Sequence, residues 1–382
     1  MSENAILHLG LLGLLLVGLF GISWILQKGR IPTILGFMVS GLLAQFLPLP
    51  WLHEFFPLIG EIAIWLLFFF VGLEYSPEYL SQLGRNILWP ALIDLGINFG
   101  AITGIALFFS PPLEAIILGS ALYPSSTAVV ARLFLDYSRL ATAEAELLLG
   151  LLIFEDIVGV GLLGIFTPLV GGKALSWLFL AKLLFSLIAI SMVFWLTHKR
   201  LIPWITTRIS YSTENSLEVF LMLGLVLGVG SLGHILSLSG ALTAFLLGVL
   251  IPRESTLHLA AERNLGPIRE LSIGFFFFSL SYQVGLGRLP VGEGIGWAIL
   301  AVLLKGLSTF WAARAWGLKK RAAFRAALSF LPKGEFSLLF GALSQVWREV
   351  VWVIVLFSTV VGCVAFAKAG EVAERFFPRR NA

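Results

Sequence analysis

The stretch Leu147-Leu-Leu-Gly-Leu-Leu-Ile-Phe-Glu-Asp-Ile-Val-Gly-Val-Gly-Leu-Leu-Gly-Ile-Phe166 places two adjacent acidic residues in the middle of an otherwise apolar run. The hydrophobic segment around it, residues 141–168, is long enough to cross a bilayer as an α-helix. An ionisable side chain at the centre of such a span costs about 3 kcal/mol on insertion scales. Glu155 and Asp156 therefore indicate a function that needs charge inside a membrane.

Similar segments recur along the whole chain. Of its 382 residues, 58% are hydrophobic and 13% charged, and the mean hydropathy is +0.94. Soluble domains carry about 25% charged residues, so this composition excludes an ordinary soluble fold. We predict an all-α polytopic membrane protein with about 13 transmembrane helices. The predicted segments are 5–26, 31–47, 57–74, 86–109, 112–133, 141–168, 174–198, 216–234, 238–252, 266–286, 291–316, 322–346 and 349–371.

The basic residues predict the orientation of these segments. If the N-terminus lies outside, most Lys and Arg residues fall in inner loops, and the outer loops hold only Lys173, Arg288 and Arg348. Cytoplasmic loops of membrane proteins carry such an excess. We therefore predict a cytoplasmic C-terminus. The net charge of +4 then reflects topology, and no nucleic-acid partner is expected.

The sequence also contains an internal repeat. Three pairs of similar features occur in the same order, each pair separated by about 204 to 208 residues: 68–75 with 275–282, 36–48 with 240–252, and Pro124 with Pro332. That separation corresponds to seven segments, an odd number, so paired helices run in opposite directions. This is an inverted-topology repeat, as found in many secondary transporters. We predict one domain over 1–382, with repeat A at about 1–168, a connector helix at 174–198 and repeat B at about 216–375.

Two prolines lie at the same depth in repeat-related segments. Pro124 begins Pro-Ser-Ser-Thr127, and Pro332 begins Pro-Lys-Gly-Glu335. A proline inside a helix removes a backbone hydrogen bond and clashes with the preceding turn. We predict that both helices break there, as two crossover helices whose free backbone groups need partners. Lys333 near carbonyl ends and Glu335 near N–H ends would offset the helix dipoles, and Ser125, Ser126 and Thr127 would supply hydroxyls.

A carboxylate buried at this depth is suited to ion exchange. Protonated Asp156 is neutral and inexpensive to bury, whereas ionised Asp156 can hold Na⁺ or K⁺ with other oxygen ligands. Competition between proton and metal for one group is sufficient to couple their fluxes. Glu155 lies about 100° away around the helix and is predicted to face Lys305, the midpoint of segment 291–316.

Structural interpretations of these residues stay open. A mid-span carboxylate can form a structural ion pair, Lys333 and Glu335 can serve the helix ends alone, and the hydroxyls can bond to their own helix. Two other functions are also open: a cation channel, although no filter-like loop of carbonyls is evident, and an intramembrane acid–base enzyme. ATP-driven pumping is disfavoured because the chain has no G-x-x-x-x-G-K-[ST] loop.

Several of these motifs carry a family resemblance over nearly the whole chain. Gly60-Glu-Ile-Ala to Glu74, Ser125-Ser-Thr-Ala-Val-Val130, Phe154-Glu-Asp-Ile157, Gly240 to Gly248 and Lys333-Gly-Glu-Phe336 resemble the Kef-type branch of the monovalent cation:proton antiporter-2 superfamily, with its sodium/hydrogen exchanger fold.

The resemblance implies a homodimer in a prokaryotic inner membrane, with a core that moves elevator-like and no cofactor besides the transported ions. It assigns Asp156 as the cation- and proton-binding residue, and Lys305, the predicted charge partner in the site, matches the lysine of the core helix opposite it. Glu155 stands where Kef-type exchangers usually have Gln, which leaves both the cation and the stoichiometry open. The chain ends at Ala382 without the regulatory C-terminal domain of longer members, so a separate soluble regulatory subunit is a candidate partner.

Overall fold

The structure is a computed structural model that describes residues 3–28, 32–46, 51–74, 77–171, 215–235, 240–251, 256–283 and 289–378. Within these ranges the fold is helical, with fourteen helices. They are α1 (Glu3–Lys28), α2 (Thr33–Ala44), α3 (Trp51–Glu74), α4 (Pro77–Ala106), α5 (Pro112–Leu122), α6 (Thr127–Asp136), α7 (Ala143–Val170), α8 (Asn215–Ile235), α9 (Gly240–Leu250), α10 (Thr256–Tyr282), α11 (Val291–Ala315), α12 (Lys320–Ser329), α13 (Glu335–Leu343) and α14 (Arg348–Phe376).

Five stretches of the described helices are long and apolar enough to cross a membrane. They are Gly10–Lys28, Asn86–Ala106, Ala143–Thr167, Val291–Ala315 and Arg348–Phe376. Shorter apolar helices include α2, α5 and parts of α3, α8 and α9. The chain is thus a multi-pass membrane protein by length and composition. The predicted connector helix at 174–198 lies outside the described residues.

Several helices extend beyond the predicted hydrophobic segments. Segment 57–74 lies within a helix that begins at Trp51, and segment 266–286 within one that begins at Thr256. Segment 86–109 belongs to α4, which begins at Pro77. Hydropathy marks only the apolar part of a helix, whereas backbone hydrogen bonds continue through polar residues at its ends. The segment boundaries therefore differ, although each described segment is helical over most of its length.

Segments 112–133 and 322–346 each contain two helices with a non-helical stretch between them. The first break separates α5 from α6 at residues 123–126, and the second separates α12 from α13 at residues 330–334. Pro124 and Pro332 lie inside these breaks. Proline has no backbone N–H to donate, and in a non-helical stretch this costs no helical hydrogen bond.

The described helices divide into two compact units. The first comprises Met1–Trp51, Leu83–Gly159 and Leu280–Ala382. Within it, α11, α12 and α14 pack against one another, and α13 packs against α5 and α14. Buried aromatic residues fill the spaces between these helices, including Phe134, Phe330 and Trp347.

The second unit comprises Leu52–Gln82 and Val160–Ser279. Its buried core includes Phe69, Phe70 and Met222, packed with smaller side chains of α9 and α10. A Cβ atom on Gly72 or Gly248 would collide with backbone atoms of the facing helix. Glycine at both positions lets α3 and α9 approach closely, as small residues do between membrane helices.

Candidate functional site

The two helix breaks are directly hydrogen-bonded to each other. The backbone N–H of Ser126 donates to the Pro332 carbonyl at 2.8 Å, and Ser125 Oγ donates to the Phe330 carbonyl at 3.0 Å. A Cβ atom on Gly334 would overlap the side chain of Ser126, so the second break can lie this close only with glycine there. The breaks therefore supply partners for each other's backbone groups, which membrane burial requires.

Charged side chains complement the helix ends at these breaks. Lys333 Nζ donates to the carbonyl of Tyr123, the C-cap of α5, at 3.2 Å. Glu335 is the first residue of α13 and accepts a hydrogen bond from Ser126 Oγ at 3.0 Å. A cation at a helix C-terminus and an anion at an N-terminus both offset the macrodipole.

The next helix, α14, completes the partners of the second break. Ser358 Oγ accepts a hydrogen bond from the Lys333 N–H at 3.3 Å, and Thr359 Oγ1 donates to the Lys333 carbonyl at 3.0 Å. Both side chains are buried. Gly362, one turn further on, lies against the ring of Pro332. The second break is thus hydrogen-bonded both to the first break and to α14.

The acidic pair of α7 lies beside the first break. Asp156 is 1% exposed and accepts hydrogen bonds from Thr127 Oγ1 at 3.0 and 3.2 Å. Glu155 is fully buried, and its Oε2 accepts from the Ser125 N–H at 2.6 Å. Both carboxylates of the predicted site are therefore tied to residues at the end of the first break.

Lys305 lies at the centre of a buried ion-pair network. Its ammonium pairs with Glu155 Oε1 and with Asp94 Oδ2, the latter at 2.8 Å. It also donates to the Tyr123 carbonyl at 3.2 Å and lies 4.7 Å from the centre of the Phe330 ring. The structure thus brings together Glu155 and Lys305, which the sequence predicted to face each other.

Sequence reasoning missed Asp94 as a member of this network. Asp94 is fully buried in α4, and its Oδ1 accepts a hydrogen bond from Ser308 Oγ at 2.6 Å. Asn98, four residues later, donates to the Tyr123 carbonyl at 3.1 Å. The available signal was two polar residues one helical turn apart inside hydrophobic segment 86–109.

Sequence reasoning also missed Glu144, a buried carboxylate at the start of α7. Glu144 pairs with Arg139 at 3.1 Å and with Arg325 of α12 at 2.7 Å. Arg139 also donates to Ser329 Oγ and to the Phe366 carbonyl, both at 3.1 Å. This cluster joins the start of α7 to α12 and α14. The sequence alone does not distinguish Arg139 and Arg325 from the other basic residues of the predicted inner loops.

The ion-pair network and the helix breaks carry an excess of formal negative charge. Among the residues that the structure describes, four acidic side chains and two lysines are buried there, namely Asp94, Glu155, Asp156, Glu335, Lys305 and Lys333. With all groups ionised, the formal net charge is −2. Charge inside a membrane is costly to bury, so neutralisation of one of these carboxylates by a cation or a proton would favour its burial.

The comparison with protein families identifies the chain. The family described as "Sodium/hydrogen exchanger, transmembrane" matches residues 12–367. The chain belongs to this sodium/hydrogen exchanger family. The predicted superfamily is thereby confirmed, and so is the prediction of a secondary transporter rather than an enzyme. The intramembrane acid–base enzyme is excluded on the same ground.

Named relatives of this family member differ in the cation they exchange. It is 27% identical over 380 residues to the ammonium/H⁺ antiporter subunit AmhT of Alkalihalophilus pseudofirmus, covering 96% of this chain and 95% of the relative. It is 28% identical over 326 residues to the K⁺/H⁺ antiporter subunit KhtU of Bacillus subtilis, covering 81% and 77%. It is 24% identical over 345 residues to a Na⁺/H⁺ antiporter of Enterococcus hirae, covering 88% and 89%.

The fold of this family member matches a solved antiporter structure. The sodium proton antiporter MjNhaP1 of Methanocaldococcus jannaschii, at pH 8, superposes with a TM-score of 0.69 at 18% sequence identity. The match covers 99% of this chain and 100% of that one. At this identity the likeness supports the fold alone. The prediction of an all-α exchanger fold is therefore confirmed at the level of architecture.

Proposed function

We propose that this chain is an antiporter that exchanges Na⁺ or K⁺ for protons, with cation and proton competing for Asp156. The observation that supports this most directly is the position of Asp156, buried beside Glu155 and the Thr127 hydroxyl at a helix break. A carboxylate, a second carboxylate and a hydroxyl are oxygen ligands of the kind that hard cations prefer. Neutralisation of Asp156 by either ion makes its burial favourable, which couples the two fluxes.

We propose elevator-type alternating access, in which the helices that hold the site move across the membrane together. Every contact described for the site joins residues of one compact unit, so the site can move without being dismantled. In this proposal the helices interrupted at Pro124 and Pro332 are the crossover helices of two inverted repeats. The whole chain has about 13 spans. Hydrogen bonds between the breaks support their pairing.

The partners and the location of the protein are also part of this proposal. We propose a homodimer in a prokaryotic inner membrane, with the N-terminus outside and the C-terminus in the cytoplasm. Both AmhT and KhtU are named as antiporter subunits, which supports a further subunit for this chain as well, and we propose that it is a separate soluble regulatory partner. No cofactor is required, because the transported cation and the proton are the only ions in the proposed cycle.

Reconstitution in liposomes tests the exchange. A pH gradient is imposed, and Na⁺, K⁺ or Li⁺ is then added. We expect Na⁺, K⁺ or both to dissipate the gradient, and we expect Asp156→Asn to abolish this response. Asp136→Asn is the matched control, because Asp136 is 48% exposed and pairs with Arg132 at the end of α6. Unchanged exchange in Asp156→Asn would remove Asp156 from the mechanism.

The same assay separates an antiporter from a channel. A channel would pass cation current without stoichiometric movement of protons. Under a clamped membrane potential, Glu155→Gln is expected to change the voltage dependence of exchange more than its maximal rate. The reason is that Lys305 keeps Asp94 as a counter-ion when Glu155 is neutral.

A further inference from the structure

One ammonium group in the site serves two carboxylates. Lys305 pairs with both Asp94 and Glu155, and all three side chains are buried. A lysine carries a single positive charge, so it fully compensates only one of the two acids. Lys305 also lies near the rings of Tyr123 and Phe330 and donates to the Tyr123 carbonyl. The ammonium of Lys333 donates to the same carbonyl.

The two acids are fixed in different ways. Asp94 Oδ2 contacts Lys305, and Asp94 Oδ1 accepts from Ser308, which lies on the same helix as Lys305. Asp94 is therefore attached twice to α11. Glu155 contacts Lys305 with Oε1 only, and its Oε2 faces the Ser125 N–H at the break near Thr127. Of the two acids, Glu155 is the one adjacent to Asp156.

We propose that Asp94 is a positioning residue: it neutralises and anchors Lys305, and thereby leaves Glu155 able to bind the transported cation together with Asp156. This inference rests on the proposed function, because it assigns a second ligand to the same cation site. Without Asp94, Glu155 becomes the single counter-ion of Lys305. A cation would then have to separate a buried ion pair in order to recruit Glu155, which is unfavourable in a medium of low dielectric constant.

Equilibrium cation binding tests this role without a pH gradient. Purified protein in nanodiscs is titrated with Na⁺ and with K⁺ by calorimetry. Asp94→Asn is expected to weaken binding of the preferred cation by about tenfold, the size of effect common within one buried charge network. Glu155→Gln is expected to weaken it to a similar extent. Asp136→Asn, on the exposed end of α6, is the control and is expected to bind as the wild type does.

The double variant Asp94→Asn/Glu155→Gln decides the mechanism. If Asp94 acts through Glu155, the double variant binds no more weakly than Glu155→Gln alone. Multiplicative losses, or unchanged binding in Asp94→Asn, would overturn the proposal. If the role of Asp94 were only structural, Asp94→Asn would lower the thermal unfolding temperature. It would also weaken cation binding equally in the wild type and in Glu155→Gln. If Asp94→Asn does not fold, Ser308→Ala replaces it in the same cycle, with the same expected non-additivity and the same overturning results.

The outcomes also separate this inference from the proposed function. Protein that binds cation with the expected non-additivity, yet shows no cation-dependent proton flux in liposomes, would contradict antiport and leave the role of Asp94 standing. Active exchange combined with multiplicative losses would contradict the role of Asp94 alone. Wild-type protein that binds neither cation would overturn both.

Discussion

At the scale of single residues, Thr127 offers the most direct test of the cation ligands. Its hydroxyl lies 3.0 Å from the Asp156 carboxylate at the first residue of α6. Thr127→Val keeps the shape of the side chain and removes the hydroxyl. In the proposed site the hydroxyl oxygen is also a cation ligand, and loss of one such polar contact, worth about 1.5 kcal/mol, is expected to weaken the apparent cation affinity about tenfold. Cation-dependent proton flux at graded cation concentrations measures it.

Thr127→Ser is the matched control, because it restores the hydroxyl on a smaller side chain. We expect this variant to recover most of the affinity lost in Thr127→Val. A loss in Thr127→Ser that is absent from Thr127→Val would show that the methyl group, and not the oxygen, is what the site requires.

The site residues differ in how far the sequence could predict them. Glu155, Asp156 and Lys305 stand out because each is charged near the middle of a hydrophobic segment. Asp94 is also charged inside a hydrophobic segment, but it lies only eight positions from the start of segment 86–109 and was not singled out. Its pairing with Lys305 depends on how α4 packs against α11, which no local pattern encodes.

At the scale of helices, the positions of the two breaks were predictable and their contacts were not. Proline marks each break because it cannot donate a helical hydrogen bond. The partners of Ser126 and Lys333 lie about 200 residues away in sequence or on α14. Many of these contacts are made by serine and threonine hydroxyls and by a glycine. These residues are common in membrane helices and carry little signal by themselves.

Gly334 tests whether the close contact between the breaks matters. A Cβ atom there would overlap Ser126, so Gly334→Ala is expected to push the breaks apart. Overpacking of this kind costs about 1 to 3 kcal/mol. We expect a lower thermal unfolding temperature together with slower cation/proton exchange.

Gly296→Ala is the matched control, since a Cβ atom at Gly296 of α11 meets nothing within 4 Å. This variant is expected to unfold and to exchange ions as the wild type does. If Gly334→Ala also behaves as the wild type, the hydrogen bonds between the breaks tolerate separation and do not determine the rate.

At the scale of the whole molecule, composition and hydropathy were sufficient for the fold class. Long apolar runs leave helices as the way to satisfy the backbone in a bilayer, and the likeness to a solved antiporter agrees. Helix ends were less predictable, because α4 and α10 continue into polar residues that hydropathy excludes. The repeat boundaries and the number of spans stay predictions, since the segment 174–198 lies outside the described residues.

The orientation of the two termini tests the span count and the repeat together. An odd number of spans places the termini on opposite sides of the membrane, and the positive-inside rule places the C-terminus in the cytoplasm. Cys363, in α14, is the only cysteine of the chain, so Cys363→Ala provides a cysteine-free background. In intact cells, a membrane-impermeant maleimide is expected to label Ser2→Cys at once and Ala382→Cys only after permeabilisation. Labelling of both termini from the same side would mean an even number of spans, and the seven-segment separation that makes the repeat inverted would then need revision.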